Sequence, residues 1–132
     1  MSSITEEKFN KLFKKYTSYI IKKSYKDRLA TLKISDEIGA DVEFDFKPGK
    51  GKVTFSVGFL QLPLERIDGG VLSWTRGYHV EDFDKVIDAA FEYVNKFGPN
   101  FDKLEEYENN REHDFREYLI SNHIINFNIE EL

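Results

Sequence analysis

The chain has 132 residues, of which 40% are hydrophobic and 15% aromatic; its formal net charge is −5 and it contains no cysteine. That length suits one domain able to bury its own core, and the hydrophobic content argues against intrinsic disorder. Disulfides and thiolate metal sites are excluded; no apolar run approaches the ~20 residues of a membrane span, and Met1 to Glu7 lacks the regions of a secretory signal, so a soluble cytoplasmic protein is expected.

Ser3-Ile4-Thr5-Glu6 fits a capping box with Ser3 as N-cap. Phe9, Leu12, Phe13, Tyr16 and Ile20 then recur at helical spacing, which predicts a first helix reaching about Lys26. Lys8, Lys11, Lys15, Lys22 and Lys26 form a stripe along that helix. A solvated face is the ordinary meaning of such a stripe; contact with an anionic surface is the functional one.

Strands follow. Leu32 and Ile34 alternate with polar residues, and Gly39 reads as a turn. Ala40, Val42, Phe44 and Phe46 alternate with Asp41, Glu43 and Asp45. The run 47–51 (Lys-Pro-Gly-Lys-Gly) has turn chemistry. Val53, Phe55, Val57 and Phe59 alternate in turn, giving a hairpin with one buried and one wet face. Pro63 ends that strand, Asp68-Gly69-Gly70 is a turn signal, and a fourth strand runs from Val71 to Arg76. Gly77-Tyr78-His79 leads into the second helix.

The second helix has the clearest period: Phe83, Val86, Ile87, Ala90, Phe91, Val94 and Phe97, closed by Gly98-Pro99. Asn100 can cap a third helix with Leu104, Tyr107, Phe115, Tyr118 and Leu119 on its inner side. Ile125, Phe127 and Ile129 predict a closing strand, whose edge could pair with a second copy as a homodimer. The expected fold is a single α+β domain over residues 1–132. It has an antiparallel sheet of about five strands with helices packed on one face, in the order α-β-β-β-β-α-α-β.

Catalytic motifs are lacking. Ser73 sits in Val-Leu-Ser-Trp, not in a nucleophile elbow, and the carboxylates show no arrangement that would drive their pKa values apart. His79, His113 and His123 are scattered, and His113 with Glu117 supplies two ligands where a site needs more. The Gly/Lys turn at 47–52 joins two strands and is no Walker loop. Phe44, Phe46, Phe55 and Phe59 fall on the face that must receive the helices, which favours core over base stacking. The expectation is no enzyme, no metal and no cofactor. A weaker alternative is a small enzyme or ligand-binding site between the sheet and the loop from Gln61 to Gly70.

Charge is the unusual feature. Residues 1–66 carry 13 Lys/Arg against 9 Asp/Glu, whereas residues 67–132 carry 6 against 15. Within Glu81–Glu117 there are twelve acids and five bases. Glu81/Lys85, Glu92/Lys96 and Glu112/Arg116 are paired at i,i+4, while Asp84/Asp88, Asp88/Glu92, Asp102/Glu106 and Glu108/Glu112 repel. Together the four like pairs cost about 1 kcal/mol, a price that selection for stability alone would remove. The expected partner is a basic protein met by Asp84, Asp88, Asp102, Glu105, Glu106, Glu108, Glu112 and Asp114, with Trp74 or Tyr78 as aromatic anchor. Plain solubility is the competing explanation of the same charges.

In general type, a small acidic α+β chain without a catalytic motif resembles the immunity proteins of bacterial toxin systems, which mask a basic toxin or nuclease. No residue role is carried over from that resemblance. The alternative is a nucleic-acid-associated or assembly module using the lysine stripe; nucleic acid is otherwise disfavoured by the overall charge, and no membrane partner is expected.

Overall fold

The computed structural model describes residues 4–46, 53–62, 71–97 and 115–125. Helix α1 (Glu6–Leu12) leads through a 3-10 segment (Lys14–Tyr19) into five strands: β1 (Ile20–Ser24), β2 (Leu29–Lys33), β3 (Ile38–Phe46), β4 (Val53–Gln61) and β5 (Val71–His79). A short 3-10 turn (Val80–Asp82) then enters α2 (Phe83–Phe97), and α3 (Phe115–Ser121) closes the described chain. The strands form one antiparallel meander in the order β1-β2-β3-β4-β5. The fold is the expected α+β domain with a five-stranded antiparallel sheet.

Alternation along the strands decides which side chains meet the helices. Ala30 and Leu32 of β2, Ala40, Val42 and Phe44 of β3, and Phe55, Val57 and Phe59 of β4 share one buried cluster with Phe9, Phe13, Phe83, Val86, Ile87, Phe115 and Leu119. One face of the sheet therefore receives all three helices. The hairpin register places Phe44 opposite Phe55 and Val42 opposite Val57, as the alternating sequence requires.

The N-terminal region departs from the expected helix. Thr5, rather than Ser3, caps α1 by accepting from the Lys8 amide at 3.1 Å. The helix ends at Leu12, and Ile20–Ser24 is a strand, so the fifth strand comes from here. The run from Tyr16 to Ile21 is made of aromatic, β-branched and hydroxyl residues, all weak helix formers that suit a sheet. The predicted lysine stripe is thereby broken over three elements and the turn after β1. The β1–β2 turn carries no glycine: Arg28 takes a left-handed backbone (φ 57°), its amide donates to the Tyr25 carbonyl, and Ser24 Oγ accepts from the Asp27 amide.

Other boundaries shift for local reasons. Gly39 lies inside β3, and the turn falls earlier, where Ser35 Oγ accepts from the amides of Glu37 and Ile38. β5 extends through Gly77, Tyr78 and His79 because Tyr78 pairs with Phe55 and His79 with Thr54. The side of β4 expected to be wet is covered: Thr54, Ser56, Gly58 and Leu60 are all buried. Helix continuity between residues 98 and 114 and the closing strand beyond Ile125 lie outside the described residues.

Gly39 is where absence of a side chain matters. A Cβ there would lie 3.0 Å from the Leu32 carbonyl oxygen and 3.2 Å from Leu62 Cδ2. The carbonyl belongs to the paired strand and cannot retreat without breaking the ladder. Gly39→Ala is expected to destabilise the fold by about 1–3 kcal/mol, the usual cost of overpacking, measured by urea unfolding. An unchanged midpoint would show that β2 and β3 are less closely apposed.

Candidate functional site

The outward side of α2 carries the acids that the sequence places on a partner surface. Two of them are engaged within the chain. Tyr16, only 3% exposed, donates its hydroxyl to Asp88 Oδ1 at 2.9 Å, with Asp84 Oδ1 and the Asp84 carbonyl at 3.4 and 3.3 Å. Lys15 Nζ bridges the other oxygen of Asp88 at 2.9 Å. The 3-10 segment and α2 are thus clipped together by a neighbouring basic and phenolic pair. Burial, followed by the adjacent aspartates, pushes the Tyr16 phenol well above its ordinary pKa, so it remains a donor at physiological pH. The like-charge pair Asp84/Asp88 therefore has a structural explanation: two carboxylates converge on one buried hydroxyl.

The expected Glu81/Lys85 pair is rearranged. Lys85 Nζ lies 3.9 Å from Asp82, and Glu81 approaches His79 Nδ1 at 3.8 Å. Glu92 Oε1 accepts from the Tyr118 hydroxyl of α3 at 3.5 Å. In the two ion pairs one partner, Lys85 or Glu81, is largely solvated and the separation is long, so they contribute little stability.

Between α2 and the end of α3 lies an open groove of about 360 Å³, lined by Lys85, Asp88, Ala89, Glu92, His123 and Ile124. Ala89 and Ile124 give it an apolar floor, and Asp88 and Glu92, one helical turn apart, set carboxylates at its rim. The far wall depends on how α3 ends. The His123 amide donates to the Ile120 carbonyl and the Ile124 amide to the Leu119 carbonyl, the paired bonds of a Schellman motif. His123 occupies the left-handed position of that motif at φ 60°, where glycine carries no steric penalty. In the sequence His123 is only one of three scattered histidines; the usual glycine signal of a helix stop is missing at this position.

Of the other predicted site residues, Tyr78 is fully buried, packing against Phe55 at 5.5 Å and Phe115 at 6.5 Å. It is a core ring in this fold and has no surface to offer a partner. Position 74 is registered opposite Gly58 on β5; nothing in the described structure bears on the Trp74 side chain. Asp102, Glu105, Glu106, Glu108, Glu112 and Asp114 lie outside the described residues, as does the loop 63–70 of the weaker ligand-site alternative. Among the described residues no three His, Asp or Glu side chains converge as a metal site, and no helix is long and apolar enough to cross a membrane.

Comparison with protein-family models, curated proteins and solved structures gives no match.

A second polar group lies on the opposite face of the sheet. Asp41 accepts a short hydrogen bond from Thr31 Oγ1, and burial holds its carboxyl above the usual carboxylate range, against the Thr31 bond and the charge of Lys22. A carboxyl whose folded pKa is raised gives its full stability below the unfolded value and loses it as pH rises through the folded one. Asp41→Asn keeps the shape without the charge, so it is expected to melt higher than the parent at pH 7. The gap should close towards pH 3. A lower melting temperature at pH 7 would mean that the ionised form is the better-solvated one here.

Proposed function

We propose that the chain is a non-catalytic binding protein that captures a basic protein through the acidic side of α2 and the acid-rich run that follows it. Masking a toxin or nuclease, the task of immunity proteins, is the activity of this kind that best suits so small an acidic chain. The observation that carries the reading is His123. A residue other than glycine stands in a left-handed position, on the wall of a groove whose rim bears Asp88 and Glu92. Backbone cost accepted at one point of an otherwise well-formed helix end is the pattern of a side chain kept for a contact.

The groove's chemistry suits a lysine or arginine side chain of the partner. Ala89 and Ile124 accept an aliphatic stem, and the carboxylate of Glu92 accepts its charged head, Asp88 beside it being already held by Tyr16 and Lys15. Glu105, Glu106 and their neighbours add long-range attraction, which raises association rates and weakens with salt. The nucleic-acid alternative has less support, because the lysines that would form one helical stripe are split between α1, the 3-10 segment, β1 and the β1–β2 turn.

Affinity capture with the tagged full chain is expected to retain a basic protein at low salt and release it at high salt. His123→Gly should raise stability by about 1 kcal/mol, the cost of the left-handed backbone, while weakening that capture. Glu92→Lys and the pair Glu105→Lys/Glu106→Lys should slow association several-fold with little change in melting temperature. Salt-independent retention, or His123→Gly binding as tightly as the parent, would refute the assignment of this surface.

A further inference from the structure

The chain carries a second, oppositely charged surface that the acidic groove does not use. From Lys8 to Lys26 there are seven lysines and no acidic residue. The last part of this run is β1, which terminates the sheet; among the described residues only β2 pairs with it. Tyr19 and Ile21, 45% and 41% exposed, are the large apolar side chains left open to solvent among the described residues. Tyr19 rests its ring on Phe91 of α2 at 4.9 Å, which makes a small fixed apolar ledge beside the strand.

We propose that the outer edge of β1 is a docking site for an extended acidic segment of another protein, added as a sixth strand. An edge strand presents unpaired backbone donors and acceptors that an extended peptide can satisfy. Lys22 and Lys23 are both exposed, and as successive strand residues they project to opposite faces of the sheet. Carboxylates on either side of an added strand thus find a cation, while an apolar residue can rest on the ledge of Tyr19 and Phe91.

Charge also selects against two other occupants. A second copy pairing antiparallel through β1 would bring Lys22 and Lys23 of both copies together, and like charges directly opposite are destabilising. A nucleic acid strand needs its cations along one track, and these two lysines straddle the sheet. The same lysines and the irregular register between Ile20 and Lys22 are also how isolated edges are kept from aggregating. Edge protection alone predicts no affinity for any strand.

The probe is an acetylated ten-residue peptide alternating glutamate and valine, titrated into the isotope-labelled full chain and followed by amide chemical shifts. Saturable shifts centred on residues 19–26 are expected, with none from the same peptide carrying lysine for glutamate. Lys22→Glu/Lys23→Glu should weaken binding at least tenfold. Because Lys22 also faces Asp41, the single variant Lys23→Glu serves as the stability control: it should weaken binding several-fold and leave the melting temperature in place. Silence at millimolar peptide, equal binding by the double variant, or shifts centred elsewhere would overturn the proposal. So would the same shifts produced by a single-stranded twelve-nucleotide DNA with the peptide inert, or dimers seen in sedimentation that the double variant abolishes.

Discussion

The ring of Phe83 is the point at which the separate pieces of the molecule become one. It lies 5.2 Å from Phe13 and 6.1 Å from Tyr16 on the N-terminal side, and 6.0 Å from Phe44 and 5.1 Å from Phe55 on β3 and β4. Aromatic contacts of this kind add to the area that the rings bury. As the first residue of α2, Phe83 also fixes the rotation of that helix. With Phe83, Val86, Ile87, Ala90 and Val94 held inward, Asp84, Lys85, Asp88 and Glu92 have only the outward side left to them.

That rotation divides the acidic residues of α2 by role. Asp84 and Asp88 reach sideways to the buried Tyr16 hydroxyl, and Lys15 neutralises Asp88 within the chain. They act chiefly as a clip. Glu92 and the groove that ends at His123 lie further along the helix, so the part of its acidic side not used by the clip lies towards α3. The N-terminal lysines divide likewise, Lys15 turned to α2 and Lys22 and Lys23 left on the open strand edge.

Where one periodicity acts alone, the sequence is easily read. β3 and β4 alternate without interruption, and α2 repeats at helical spacing until Gly98-Pro99. Failures occur where two tendencies compete. Phe9, Leu12, Phe13, Tyr16 and Ile20 fit a helical period, yet the residues from Tyr16 to Ile21 favour extended backbone, and pairing with β2 decides the outcome. Arg28 and His123 adopt left-handed conformations without the glycine that would have announced them. Gly39 looks like a turn but is required inside a strand by the closeness of Leu32 and Leu62. Of the candidate site, the acidic side of α2 is legible in the sequence; the groove is not, because it depends on the Schellman bend after α3. Tyr78 was misplaced because β5 continues past Arg76 to reach Thr54 and carries Tyr78 into the core.

The claim on which all this depends is that Phe83 locks α2 to the sheet so that helix and strands open together. Native-state hydrogen exchange tests it residue by residue. The amides of α2 and of β3 and β4 should share one opening free energy, and Phe83→Ala should lower all of them together by about 3–5 kcal/mol. Faster exchange confined to α2, with β3 and β4 protected as before, would show that the sheet stands without the helix and would contradict the account.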